Sequence, residues 1–264
     1  MIMLPYKNGD ESLILSLFKE CFVKEMTKEY WKWRFVKNPI NQIFIQLAWD
    51  NENLASHYAV SPIVVSIEDK DYLTSLSMTT MTRPDYRGLK LFPCLANLVY
   101  DQMVKLDYIM VWGFPNPKSH QVFVRDLYWT DLYEIPTMQL KITQDTKKHT
   151  NETSMDDQFA LNYVDNIYST GRIHVKKNSE YLKWRYRDNP INKYTNLVIA
   201  KENKVSSFCV VKKYCNTLDI VDFQAKNEEE GEKLLIEAVS FACQNNLESI
   251  NCWAPRHHFF HSLC

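Results

Sequence analysis

Thirteen residues of this 264-residue chain occur twice: EYWKWRFVKNPIN from Glu29 to Asn41 and EYLKWRYRDNPIN from Glu180 to Asn192, 151 positions apart and identical at nine of thirteen places. One return at so long a period describes two copies of a domain, since a solenoid would repeat every 20–50 residues or so. The chain is therefore expected to fold as two tandem domains with the same order of elements.

The surrounding sequence fits that order. In the first copy, apolar residues Leu13, Ile14, Leu17, Phe18, Phe22 and Met26 recur with helical spacing over residues 11–26. Strand-like stretches follow at 42–49, 54–60, 63–67 and 73–82, with a turn at 69–71. A helix over 91–106, a short strand over 108–114, a helix over 119–127 and a last strand over 137–142 complete this copy. Residues 143–156 are polar and suit a linker. The expected domains are thus 1–145 and 146–264, the second with strands at 195–200, 205–212, 218–223 and 249–253 and a helix at 229–244. The expected class is α/β or α+β, each domain a mixed, mostly antiparallel sheet flanked by helices.

With 45% hydrophobic and 24% charged residues the chain can bury a substantial core. Its formal charge of -1 gives no general attraction to nucleic acid or anionic lipid. No apolar run reaches the ~18 residues of a membrane span, and the start is too short for a signal-peptide core. A cytoplasmic location is expected, as monomer or homodimer. Seven cysteines include no C-x-x-C pair and an odd number cannot complete a disulfide framework, so they read as reduced thiols. No histidine or cysteine cluster has ligand spacing, and no metal is expected.

The segment that carries chemistry is Thr82-Arg-Pro-Asp-Tyr-Arg-Gly-Leu-Lys-Leu-Phe92, between a strand and a helix. A strand, a glycine turn and a helix leave backbone N–H groups unpaired at the positive end of the helix dipole, an arrangement that binds phosphate. Arg87 and Lys90 add cations suited to a pyrophosphate.

At these residues the chain resembles the GNAT superfamily of acyl-coenzyme A transferases, whose helix begins with Arg/Gln-x-x-Gly-x-Gly/Ala. The frame falls on Arg87, Lys90 and Phe92, so Lys90 and Phe92 replace the two small residues. Gly113-Phe-Pro-Asn-Pro-Lys-Ser119, with Phe123 and Leu127-Tyr-Trp129, is similar to a bacterial branch of that superfamily with duplicated domains and roles in surface-polysaccharide pathways. The resemblance covers most of residues 10–140 and, through the repeat, the second copy more weakly. It implies acyl-coenzyme A as co-substrate. Arg87, Gly88, Leu89, Lys90, Leu91 and Phe92 would then hold the diphosphate, Met81 and Thr82 would line the thioester channel, and Asn116 and Ser119 would approach the pantetheine arm from the far side. The arm would lie between splayed parallel strands over 73–82 and 108–114.

The resemblance also places the family's acid tyrosine at position 123, where this chain has Phe123. Tyr128 or Ser119 could substitute. His57 is the first candidate for a base, because an ordinary imidazole titrates near neutrality; Glu134, Asp222 and His120 are the others. In the second copy the matching turn carries Glu228, Glu229, Glu230 and Glu232, whose charges repel a pyrophosphate. That copy is expected to bind no coenzyme A and to serve as a wall of the acceptor site or a structural mate. Trp33, Trp184, Arg34 and Arg185 recur in both copies and read as parts of the fold rather than as nucleotide contacts.

The expected activity is transfer of an acetyl or 3-hydroxybutanoyl group to the amine of a small polar acceptor. By resemblance this is a nucleotide-linked amino sugar such as a dTDP-3-amino-3,6-dideoxyhexose. An aminoglycoside-like or protein amine is an alternative within enzymes, and a non-catalytic coenzyme A sensor or scaffold is the alternative outside them.

Overall fold

The structure is a computed structural model that describes residues 1–143, 173–201, 204–256 and 259–263. The chain divides into two compact units, Met1–Leu132 and Tyr133–Cys264.

In the first unit, β1 (Ile2–Pro5), β2 (Phe44–Asp50), β3 (Asn53–Ile67), β4 (Lys70–Thr82) and β5 (Met110–Trp112) lie side by side in that order. Neighbours are antiparallel except β4 and β5, which are parallel. Successive side chains on a strand point to opposite faces, and both faces here are covered. Ile45, Leu47, Ala59 and Met81 meet α1 (Glu11–Phe22) and α2 (Lys28–Phe35) through Ile14, Leu17, Trp31 and Phe35. Phe44, Tyr58 and Val60 meet α3 (Leu91–Val104) and α4 (Pro117–Leu127) through Leu95, Val99 and Phe123. Three layers result.

The two strands expected at 54–60 and 63–67 are one continuous strand, β3. Pro62 is accommodated within it because it falls beyond the last β2 pairing, Phe44 opposite Val60, where its missing N–H removes no β2–β3 rung. The helix expected to reach residue 26 stops at Phe22, because Val23 turns left-handed at φ 54°.

The repeated segments act in the fold. Trp33 and Trp184 are 2% and 6% exposed, so neither offers a stacking platform. In the first unit the Asn38 carboxamide, fully buried, donates to Ser61 Oγ at 3.1 Å and to the Pro62 carbonyl at 2.9 Å. Its oxygen accepts from the Ile40 N–H at 3.0 Å. Asn189 accepts from the Ile191 and Asn192 amides in the same way. Asn-Pro-Ile-Asn is thus a side-chain-closed turn between α2 and the next strand in the first unit, and between the matching elements in the second.

The second unit contains β6 (Thr137–Lys141), β7 (Ile173–Val175), α5 (Ser179–Leu182) continuing into a wide turn over Lys183–Arg187, β8 (Thr195–Lys201), β9 (Lys204–Tyr214), β10 (Thr217–Gln224), α6 (Glu228–Gln244), β11 (Ser249–Trp253) and α7 (Phe259–Leu263). Its sheet runs β6-β11-β10-β9-β8, with β10 and β11 parallel. One expectation is corrected here. The strand read as the last of the first copy, β6, pairs antiparallel with β11, Gln139 opposite Asn251. A strand's own pattern specifies which face is apolar and not which neighbour it joins. The expected boundary after residue 145 lies outside the described residues.

Asn38→Ala removes two donated hydrogen bonds and the turn acceptor from a buried position. It should lower unfolding free energy by about 2–3 kcal/mol, read from the shift of a urea midpoint at unchanged m-value.

Candidate active site

The first unit's parallel pair is short. Thr74, Ser75 and Leu76 of β4 face Met110, Val111 and Trp112 of β5, and the ladder then ends. Beyond it β4 continues through Ser77 to Thr82 while the chain after β5 turns away, opening a cleft of about 170 Å³. Ser77, Met78, Thr79 and Thr80 form one wall and Gly113 to Asn116 the other; Ser119, Phe123 and Trp129 close it. Gly113 packs closely against β4, since a Cβ there would stand 3.3 Å from the Ser77 carbonyl oxygen and 3.5 Å from the Trp129 ring.

What pushes β4 off β5 is a bulge. Ala59 opposes Met78 and His57 opposes Met81, so Thr79 and Thr80 share the space across from Tyr58 alone. Thr79 sits at φ 55°, a left-handed conformation that a β-branched residue rarely adopts. His57 holds it there: its ring, fully buried and edge-on to Phe35 at 6.3 Å, donates from Nδ1 to the Thr79 carbonyl at 2.9 Å. With Nδ1 carrying the proton, Nε2 is a buried acceptor without a hydrogen-bond partner. Burial pushes the His57 pKa down to about 4. The residue expected to be a general base is therefore a neutral strut behind the bulge.

The bulge also corrects the channel lining. Its extra residue inverts which side chains face the cleft, so Met81 turns into the core at 2% exposure. Thr82 instead shares a hydrogen bond with Ser56 at 2.8 Å. The β4 residues that line the cleft, by side chain or backbone, are Ser77 to Thr80.

From the end of β4 a short 3-10 turn, Pro84–Tyr86, leads to the start of α3. Gly88 has φ 85° and Lys90, at the N-cap, φ 55°, with no side-chain cap on the helix. Lys90 thus adopts a left-handed geometry that glycine would meet more easily. Arg87, Gly88, Leu89 and Lys90 are exposed. Arg87 Nε donates to the Thr82 carbonyl at 3.3 Å, which fixes the root of its side chain beside the helix start. The side chains of Leu91 and Phe92 point inward, so only their backbone amides are available there. Phe92 lies between Tyr58 and Phe123, ring centroids 5.5 and 4.9 Å away, which explains a large residue where a small one was expected.

Asn116 caps α4, accepting from the Lys118 and Ser119 amides at 3.0 Å each, and both Asn116 and Ser119 line the cleft. Other expected residues lie elsewhere. Tyr128 ends α4 at φ 55° and is 88% exposed, pointing away from the core. His120 is paired with Asp131 at 2.8 Å on the surface. Glu134 is exposed and Asp222 bridges Lys177 and the Tyr186 hydroxyl, both within the second unit. None of the residues lining the cleft is an acid, base, cysteine or tyrosine.

The second unit treats its helix start differently. Asn227 accepts from the Glu230 amide at 2.9 Å, and the Lys226 N–H donates to Ser207 Oγ at 2.9 Å. The buried Glu230 carboxylate accepts from Ser206 Oγ at 2.8 Å. Its amides and its positive dipole end are thus answered by its own side chains.

Residues 4–128 match the family profile of the acetyltransferase (GNAT) domain, nearly the whole of the first unit. The first unit is similar to the acetyltransferase (GNAT) domain over almost its whole length. Similar solved structures extend the likeness over the second. A GCN5-related N-acetyltransferase from Kribbella flavida is 12% identical with a TM-score of 0.68, covering 99% of this chain and 66% of that one. A conserved protein of unknown function and probable N-acyltransferase from Enterococcus faecalis V583 is 14% identical with a TM-score of 0.60, covering 95% of this chain. N-myristoyltransferase of Saccharomyces cerevisiae with bound myristoyl-CoA is 11% identical with a TM-score of 0.55, covering 95% of this chain and 72% of that one. At these identities the likeness is one of fold, and the chain consists of two GNAT-like α/β units. It spans 64% of the length of the Enterococcus faecalis structure. No curated protein matches the sequence. Among the described residues there is no group of three metal-ligating side chains, and no helix is long and apolar enough to cross a membrane.

The His57 strut has a pH signature. As pH falls through the ordinary imidazole value near 6.5, the unfolded chain takes up a proton that the native ring, at about 4, refuses. Stability should fall between pH 6.5 and 4 by up to about 3 kcal/mol, at 1.36 kcal/mol per unit. His57→Asn, which keeps a donor toward Thr79, should flatten that slope in urea titrations at pH 7 and 5.

Proposed function

We propose that this protein is an acyl-coenzyme A-dependent N-acyltransferase whose first unit binds the donor. The observation that carries this reading is the alignment of three features along one strand: the uncapped α3 start at Arg87 to Phe92, the bulge at Thr79 and Thr80, and the cleft ending at Ser77 and Gly113. A diphosphate suits the first, an extended pantetheine arm can pair with strand amides before the second, and the acyl group enters the third.

The amine nitrogen then attacks the thioester carbonyl, and backbone amides of the bulge stabilise the oxyanion. Collapse breaks the C–S bond as the C–N bond persists, and the proton lost by nitrogen ends on the thiol. With no ionisable side chain lining the cleft, the first unit contributes positioning and electrostatic stabilisation, and the acceptor enters as the neutral amine.

For the acceptor we propose a small polar amine, specifically a nucleotide-linked amino sugar such as a dTDP-3-amino-3,6-dideoxyhexose, with acetyl or 3-hydroxybutanoyl transferred. Support for this is the resemblance of Gly113 to Ser119 to the polysaccharide-pathway branch. The second unit, a degenerate duplicate in this reading, carries no donor site and serves acceptor binding or structure. We place the reaction in the cytoplasm, consistent with the free cysteines among the described residues.

Acetyl-coenzyme A should raise the melting temperature, and adding candidate amino sugars should release thiol. Stabilisation without thiol release for any amine would favour a sensor, and absence of stabilisation would overturn the reading. Arg87→Glu should weaken coenzyme A at least tenfold, the scale of one charge-assisted hydrogen bond. Lys90→Gly should relieve left-handed strain, stabilising the free protein by about 1 kcal/mol, while weakening coenzyme A binding measured by calorimetry.

A further inference from the structure

Beneath the cleft runs a chain of buried hydroxyls with a fixed direction. Trp129 Nε1 donates to the Tyr100 hydroxyl at 3.1 Å, Tyr100 and Tyr58 share a hydrogen bond of 3.0 Å, and the Tyr58 hydroxyl donates to Ser77 Oγ at 3.0 Å. An indole N–H can only donate, and a phenol has one proton to give. Since the Tyr58 proton goes to Ser77, Tyr58 must accept from Tyr100, and Tyr100 accepts from Trp129. Every proton in the chain therefore points toward Ser77. The Ser77 hydroxyl, in turn, has its own proton and one lone pair left over, and Ser77 lines the cleft at its apex. Hydrogen bonds in series polarise one another, so this last O–H is a stronger donor than an isolated serine.

The strand sets where that donor meets the substrate. Ser77 precedes the bulge residue Thr79 by two positions, about 6–7 Å at 3.3 Å per residue. If the thioester carbonyl lies at the bulge, an oxygen on the third carbon of the acyl group reaches roughly 3–4 Å further along the chain. A hydrogen bond of about 2.8 Å covers what remains. The cleft volume of about 170 Å³ holds on the order of six water-sized groups at ~30 Å³ each, enough for a four-carbon hydroxyacyl group.

We propose that Ser77 is the specificity-determining residue of the acyl cleft and selects short acyl groups bearing an oxygen on the third carbon. This rests on the donor site proposed above. Trp129, Tyr100 and Tyr58 are positioning residues that orient the Ser77 proton.

Binding of three probes to the full chain separates the possibilities: coenzyme A, butanoyl-coenzyme A and 3-hydroxybutanoyl-coenzyme A, measured by calorimetry without any acceptor. The expected result is that the 3-hydroxybutanoyl thioester binds about tenfold more tightly than butanoyl, the difference being one hydroxyl. Ser77→Ala should bring that ratio to near one and leave coenzyme A itself unaffected. Because that change strands the Tyr58 proton, the double variant Tyr58→Phe/Ser77→Ala, which moves the unanswered proton one step back to Tyr100, should give the same ratio. Trp129→Phe, by releasing the direction of the chain, should lower the ratio part-way. Equal binding of the two thioesters by the unaltered protein, or an undiminished ratio in both Ser77 variants, overturns the assignment while leaving the donor site standing. Failure of coenzyme A to bind at all overturns both.

Discussion

Two parallel strands share hydrogen bonds only while they run side by side, and in the first unit β4 leaves β5 after three rungs. The cause lies on the other edge of β4, where β3 offers one residue against two and Thr79 is forced left-handed. Such a conformation costs on the order of 1–3 kcal/mol and persists only where its surroundings over-determine it. Here the surroundings are His57, desolvated between α2 and the sheet, and its hydrogen bond to the Thr79 carbonyl. The cleft, its lining and the inward turn of Met81 all follow from that one extra residue.

The two units use related frames to opposite ends. Each has a parallel strand pair and an irregularity on the strand shared by it, between His57 and Ala59 opposite β4 in the first and between Ile220 and Asp222 in the second. They part at the helix that follows. The first begins at an uncapped left-handed lysine with exposed cations, and the second at an asparagine cap with a buried glutamate held by a serine hydroxyl. A helix start whose amides are answered by its own side chains has little to offer an anion, whereas one left open has both amides and dipole.

Much of this was legible in the residues. Helical and strand periodicity located most elements to within a few positions, and the Glu228 to Glu232 run marked a helix start unsuited to phosphate. The repeat itself argued that its tryptophans belong to the core, where they lie. The two strands read at 54–60 and 63–67 are one, because a proline breaks a strand only where its N–H is needed. His57 misled for a different reason: a histidine's sequence neighbours say nothing about desolvation, and desolvation decides whether it can serve as a base. The Ser77–Tyr58–Tyr100–Trp129 chain had no sequence signal, since its members come from β3, β4, α3 and the loop after α4.

By itself the sequence determined most of the elements and the open, cation-flanked turn from Arg87 to Lys90, because periodicity, caps, glycines and charge act over a few neighbouring residues. Tertiary structure alone decided which strand β6 joins, which side of β4 faces the cleft and which hydroxyl ends the buried chain. Those outcomes depend on register across strands, where a single inserted residue reverses every side chain beyond it.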